Sequence, residues 1–430
     1  MPGYSVVKSG NYDLQIDVGF LVDGFTLDDP LKGVLNNTEY VLDGTTSYAS
    51  VMDGCIGINL KRGRRDEGDQ FGAGTMSFTL NDTLADGVFN PFDSDSPYYD
   101  STVPGLAPMR EVRLIRYDNA NNPEYLFVGN VVNYDYNFNL GENDTVTVFC
   151  ADAFYKLGNT QLAAQNPVKE FSDVRIGWLL DQIDYPSGAA RDIDPDGVAE
   201  LGGGGQYAIP EGTNVKAYLD QIQQAEQGRI FIDRNGVFVS DPRIGITLSS
   251  PVATFSDNGS GGVRYQKLGI SFQAEDVINK ATVQAGSNTP QIAEDLPSQA
   301  KYFIKSVNLP NTLLHDSTAA LDLANYLLEP EPEPRFTDVE TSFAGIALAA
   351  DRDTVAVIDI GDTIEIEKTI LVGGVPTLRT EALSVEGVEH AINLLNGHTA
   401  RFYTAPTIIA FELLLNDPVY GRMDENNVLG

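Results

Sequence analysis

Apolar and polar residues alternate along this chain in run after run that is too short for a helix. Cys55 to Leu60 places Ile56, Ile58 and Leu60 on one side of an extended backbone, because successive side chains of a strand point to opposite faces. Leu14 to Val22, Met76 to Leu80, Glu111 to Arg116, Tyr125 to Phe138 and Thr145 to Cys150 read the same way. Turn-forming clusters separate these runs, as at Asp118-Asn119-Ala120-Asn121-Asn122-Pro123. Many short strands with few helical windows predict a mainly β (α+β) fold built on antiparallel barrels or sandwiches.

At 430 residues the chain exceeds what one core usually organises. Residues 1–14 read as an N-terminal arm and 15–160 as a first β domain. The pattern then changes to helical spacing: Ile176, Leu179, Leu180 and Ile183 recur in that way, as do Val215, Tyr218, Leu219, Ile222 and Ala225. Thr213 is the expected N-cap of the second helix and Gly228 its breaker. Arg234-Asn235-Gly236 between two apolar runs predicts a hairpin, so 165–250 reads as an α/β domain. Pro251 to Val263, with Gly259, Gly261 and Gly262, reads as a flexible boundary.

A second β domain is expected over 255–405. Its strands are predicted at Leu268 to Phe272, Val277 to Gln284, Phe336 to Ala344, Ala356 to Ile360, Thr363 to Glu367, Ala382 to Val388 and Ala400 to Tyr403, with a turn at Asn396-Gly397. It also contains a helix over Ser317 to Leu328, capped by Asp316, and a stiff acidic spacer at Glu329-Pro330-Glu331-Pro332-Glu333-Pro334. Residues 406–430 read as a C-terminal docking tail, with a closing helix as the alternative.

One stretch carries a more particular order of motifs. Arg62-Gly63-Arg64-Arg65 is followed by Phe71-Gly72-Ala73-Gly74-Thr75, then Asp86-Gly87-Val88-Phe89-Asn90-Pro91, Ser96-Pro97-Tyr98-Tyr99 and Pro108-Met109-Arg110-Glu111-Val112-Arg113-Leu114. This order resembles the N-terminal region of minor tail proteins from long, non-contractile-tailed phages of actinobacteria. A helix ending in Leu219, Ile222, Ala225 and Gly228 and running into the Asn235-Gly236 hairpin is similar to a theme in central hub proteins of phage baseplates. The resemblance implies that the two β domains are tube-like, that the chain is a structural virion protein of the tail tip, and that it performs no catalysis.

Charge narrows the partners. With 28 Lys+Arg against 61 Asp+Glu the formal net charge is −33, and phosphate contacts need clustered cations. Specific nucleic-acid binding is therefore not expected; an acidic wall along a channel that DNA passes through is compatible with the balance. Cys55 and Cys150 sit in apolar runs and read as reduced core thiols. No run is long and apolar enough for a membrane span, and the expectation is a protein made in the host cytoplasm and carried in the virion.

No catalytic, cofactor or metal set is read from the sequence. His315, His390 and His398 lack a metal-ligand spacing. Asp192, Asp194 and Asp196 begin like a calcium loop, but Gly203 stands where its last ligand would be. The glycine run 202–205 lacks the lysine of a phosphate loop and reads as a flexible loop. Lys61, Arg62, Arg64 and Arg65 stand out in so acidic a chain; they read either as a solvated strand end or as an intersubunit contact with acidic loops such as 66–69 or 93–95 of a neighbour.

The expected function is a trimeric tail-tip hub that adapts a sixfold tail tube to threefold tip components. Its partners would be further copies of itself, distal tail or tube ring proteins, the C-terminus of the tape-measure protein, and distal tip or fibre proteins. A hexameric distal tail ring is the alternative within the class. A host-wall carbohydrate-binding or hydrolytic tail protein is the alternative outside it, with Tyr98 and Tyr99, or Tyr134, Tyr136 and Phe138, as sugar-stacking candidates.

Overall fold

The computed structural model describes residues 12–19, 47–65, 69–100, 103–246, 249–259, 261–393, 397–406, 411–412 and 427–428. Nearly all of the expected N-terminal arm and of the C-terminal docking tail lies outside these residues. So do Phe20, Leu21 and Val22 of the first predicted strand, Asp66 of the acidic loop, and Asn396.

Among the described residues the first part of the chain supplies seven strands to the large sheet: β1 Tyr12–Asp17, β2 Tyr48–Ser50, β3 Cys55–Gly63, β4 Thr75–Asn81, β5 Glu111–Tyr117, β6 Pro123–Asn137 and β7 Thr145–Ala151. They lie in the order β3-β4-β7-β6-β5-β1-β2, every neighbour antiparallel. The alternation does what period two requires: Ile58, Leu60, Met76, Phe78, Val146 and Val148 are buried on one face. Ile56 departs from the expected pattern. A bulge between Cys55 and Gly57 inserts one residue, so Cys55 enters the core and Ile56 stays half-buried.

The chain then turns helical. α1 is Ala153–Asn159, α2 Ser172–Asp181 and α3 Val215–Glu226. α3 buries Val215, Tyr218, Leu219, Ile222 and Ala225 as the spacing predicts. Its caps sit differently from expectation: Asn214 accepts from the Ala217 amide, and Gln227 takes the left-handed conformation that ends the helix. The hairpin of β8, Arg229–Ile232, and β9, Phe238–Asp241, turns at Gly236, and Arg191–Ile193 adds a parallel third strand.

The glycine run is not a loose loop. The Gly202 amide donates to the Leu313 carbonyl at 2.8 Å, and a Cβ on Gly202 would stand 2.1 Å from the Tyr207 ring. Gly202 and Gly203 allow close approach, and Gly204 and Gly205 take positive φ.

The last part of the chain supplies β10 Ala253–Ser256, β11 Val263–Arg264, β12 Lys267–Ser271, β13 Arg335–Ser342, β14 Thr363–Val372, β15 Val375–Asn393 and β16 Gly397–Ala405, with α4 Leu296–Tyr302, α5 Ser317–Tyr326 and α6 Ala349–Val357. The expected flexible boundary at 251–263 instead contains two sheet strands, since β10 pairs in parallel with both β14 and β11. The strand predicted at Ala356 to Ile360 is the end of α6 and the loop after it. Val355, Ala356, Ile358 and Ile360 are all buried, and a run that short fits either period.

The strand predicted near Val277 to Gln284 forms, as Lys280–Ala285, but it belongs to a separate three-stranded sheet with Gln291–Glu294 and Ser306–Thr312. That sheet packs with α5 and joins the middle of the chain through Leu313 and Leu314. The acidic Pro-rich segment is docked: Glu329 pairs with Arg335, Glu331 with Lys301, and the Pro330 carbonyl accepts from Ser298.

β15 is where the two sheet systems join. On one side it pairs with β16, on the other with β14 along its first half and with β3 along its second. An unbroken antiparallel run results, β12-β13-β16-β15-β3-β4-β7-β6-β5-β1-β2, inside a mixed sheet that among the described residues has fourteen strands and does not close into a barrel. The fold is mainly β of the α+β kind.

Candidate functional site

The basic residues Lys61 to Arg65 lie at the end of β3, where it meets β15, and the structure brings them to acidic residues more than two hundred positions away. Close approach comes first. Gly63 has φ +83° and Gly387 sits in the bulge of β15. A Cβ on Gly63 would lie 2.3 Å from the Glu386 carbonyl oxygen, and one on Gly387 2.3 Å from that of Arg64, so only glycines let the two backbones meet here.

Glu386 then takes two guanidinium groups. Its Oε2 accepts from Arg64 at 2.8 Å and its Oε1 from Arg229 at 2.5 Å. Arg64 follows β3, Arg229 begins β8 and Glu386 lies on β15, so one buried carboxylate ties all three parts of the chain together. Asp359 repeats the arrangement. It accepts from Arg62 at 2.6 Å and from the Arg234 amide at 2.8 Å, while the Arg234 guanidinium reaches back to Glu124 at 3.0 Å. A third tie, Arg116 to Asp353 at 2.5 Å, joins β5 to α6.

The four basic residues singled out in the sequence therefore divide. Arg62 is buried and Arg64 nearly so, each committed within the chain. Lys61 and Arg65 are exposed on one side and share Glu389 at 3.8 and 2.9 Å. Asp66 to Gly68 lie outside the described residues.

The second feature is the open face of the joined sheet. Residues in register across it give a row Lys267, Glu340, Arg401, Glu389, Lys61 on β12, β13, β16, β15 and β3. Charge alternates at every step, so each side chain has opposite-charge neighbours. The next row is Ser342, Thr399, Ala391, Asn59, Ser77, Phe149 and Asn133. Small polar groups dominate it. A cleft of about 760 Å³ lies on this face, with Phe149 and Tyr155 as its aromatic lining. The acidic excess of the chain is not carried by the charged row, which holds three cations and two anions.

Other sequence candidates settle elsewhere. Asp192, Asp194 and Asp196 lie in and after the Arg191–Ile193 strand, where Asp194 accepts from the Asp196 amide. Among the described residues no three His, Cys, Asp or Glu side chains gather as a metal site. Tyr98 stacks on Phe89 and donates to the Ser50 carbonyl, and Tyr134, Tyr136 and Phe138 form a ladder along β6 with only Phe138 largely exposed. Both cysteines are buried free thiols, and burial pushes Cys55 up to about 12.

His390 and His398, which lack a metal-ligand spacing in the sequence, are buried and hydrogen-bonded to each other. The signal was there: alternation puts both on the face of Val388, Ile392, Ala400 and Phe402.

No protein-family model matches the sequence, and no curated protein matches it. Solved structures do. The chain is similar to the tail protein from Neisseria meningitidis MC58, with a TM-score of 0.55 and 12% identity over 92% of this chain and 96% of that one. It is also similar to the 43 kDa tail protein of prophage MuSo2 from Shewanella oneidensis, with a TM-score of 0.52 and 10% identity over 84% of this chain and 95% of that one. At such identities the likeness is one of fold.

Proposed function

We propose that the chain is a structural, non-enzymatic component of a phage tail tip, and that three copies form a hub between a sixfold tube and threefold tip parts. The reading rests above all on the β15–β3 junction. It joins two sheet-forming parts of one chain edge to edge, so that each copy brings two tube-like β domains, about 15–160 and 255–405, with the α/β domain at 165–250 between them. Three copies would supply six such units, which is how a ring can match sixfold above and threefold below. The similarity in fold to tail proteins supports the same assignment.

In this reading the polar, charge-balanced face is turned to the channel. A surface of paired charges and small hydroxyl and amide groups offers a passing polyanion no cationic cluster to hold it. Neighbouring copies meet along β12 and β2, which have a strand on only one side among the described residues and so offer backbone groups to a further strand. Arg62 and Arg64 are buried in internal pairs and Lys61 lies in the channel-facing row, so the intersubunit contact expected of the basic residues falls to Arg65, the most exposed of the four. Ring proteins of the tube, the end of a tape-measure protein and tip or fibre proteins are the proposed partners.

The absolute mass of the purified full chain, and its copy number in intact virions, test this. Three copies are expected. Six would replace the hub by a distal tail ring, and a stable monomer that binds host-wall polysaccharide would overturn the structural reading.

A further inference from the structure

The interior holds a titratable chain for which the proposed role has no use. His390 on β15 and His398 on β16 are both buried, with Nδ1 of His390 2.9 Å from Nε2 of His398. The hydroxyl of Tyr12, at the start of β1, lies 2.5 Å from Nδ1 of His398. Phe343 stacks on the His398 ring at 3.7 Å, and Phe402 meets His390 edge-on. β1 belongs to the far end of the antiparallel run, seven strands from β16. The Tyr12–His398 hydrogen bond therefore crosses the core from one wall to the other, and the His390–His398 bond extends it along the second wall.

With both rings neutral the contacts are satisfied in one direction or the other. Either the Tyr12 O–H donates to Nδ1 of His398 and the Nε2–H of His398 donates to Nδ1 of His390, or, in the other tautomers, both bonds run the opposite way. A single added proton makes Tyr12 the acceptor; two added protons set N–H against N–H.

The surroundings make a cation here costly on balance, with Asp359 the charge that favours one at His390. Arg62 on β3 and Arg116 on β5, the latter directly opposite Tyr12, are the nearest charges, each already paired, with Asp359 and Asp353. Burial, with Arg62 beside it, holds His390 at about 3, and burial, with His390 and Arg116 beside it, holds His398 well below its ordinary value.

We propose that Tyr12, His398 and His390 form an acid-sensitive latch that fastens β1 to the second sheet system and loosens when the histidine pair takes up protons. The sign follows from linkage. Both histidines bind protons less readily when latched than when released, so the closed latch is favoured above about pH 6.5, the ordinary histidine value, and weakens as pH falls below it. Each histidine lowers the closed-to-open ratio by up to about tenfold per pH unit in that window.

Amide hydrogen exchange of the full chain, corrected for the intrinsic effect of pH, tests the latch. Between pH 7.5 and 5, exchange in Tyr12–Asp17 should accelerate by more than tenfold while β4 and β7 stay protected. The double variant His390→Asn, His398→Gln should lose that acid response. Tyr12→Phe, which removes one oxygen and keeps the ring, should speed exchange of β1 already at pH 7.5. Unchanged exchange of β1 down to pH 5, parallel acceleration of β4 and β7, or a Tyr12→Phe variant indistinguishable at pH 7.5 would each overturn the proposal.

Discussion

Glu386 is the residue on which the junction depends most, since its carboxylate faces Arg64 and Arg229 in a buried setting. Removing it strands two guanidinium groups away from water, and a buried pair broken from one side costs about 3–5 kcal/mol. Glu386→Ala should lower the denaturant midpoint accordingly. Arg65→Ala, at an exposed pair, should cost less than about 1 kcal/mol. Asp152 carries a second consequence at this scale. It caps α1 and accepts from the Gly74 amide at 2.6 Å, and burial pushes its carboxyl up to about 7. A raised acid contributes stability that is complete below the unfolded value near pH 4 and lost as pH rises to about 7. Stability curves at pH 5 and 8 should therefore converge in Asp152→Asn relative to the native chain. The basic residues at 61–65 were legible in the sequence, but their partners were not. Nothing at Arg64 points to Glu386, because only the meeting of β3 with β15 brings them together.

β14 and β15 run past the rest of the sheet as a two-stranded arm. Gly373 and Gly374, both at positive φ, make the tight turn between Val372 and Val375. Ile370, Leu371, Val372, Val375 and Leu378 are exposed along it, and no charge occurs between Lys368 and Arg379. Since these side chains bury little in the single chain, Leu371→Ser with Leu378→Ser should change unfolding stability by no more than about 0.5 kcal/mol, as read by chemical denaturation. A larger loss would mean that the arm packs within its own chain. Most strands and the α2, α3 and α5 helices were visible as periodicity, which depends on neighbours in sequence. The arm was missed although Gly373-Gly374 marks it, and the last two residues of α6 with the loop after it were read as a strand because so short an apolar run fits both repeats.

At the scale of the molecule, burial of one face of each strand explains the class of fold, and that much belongs to the sequence alone. Alternation requires sheets, turn residues cut them into short strands, and helical spacing places α2 and α3 between two strand-rich regions. The surplus of acid by itself argues against nucleic-acid binding. Pairing partners are another matter. Lys280–Ala285 alternates as β13 does, yet one lies in a separate three-stranded sheet and the other in the large one. Ala253–Ser256 lay in a segment that read as a linker and is a strand held between β14 and β11. A strand's pattern says which side of it is buried and leaves open which edge it meets, because backbone hydrogen bonding is the same for every sequence. The mainly β classification, the helices and the acidic balance were thus set by residues close together in the chain. The β15–β3 junction, the carboxylates shared among three parts of the chain, and the histidine pair in the core were decided by tertiary structure, which alone brings distant edges and buried charges within reach.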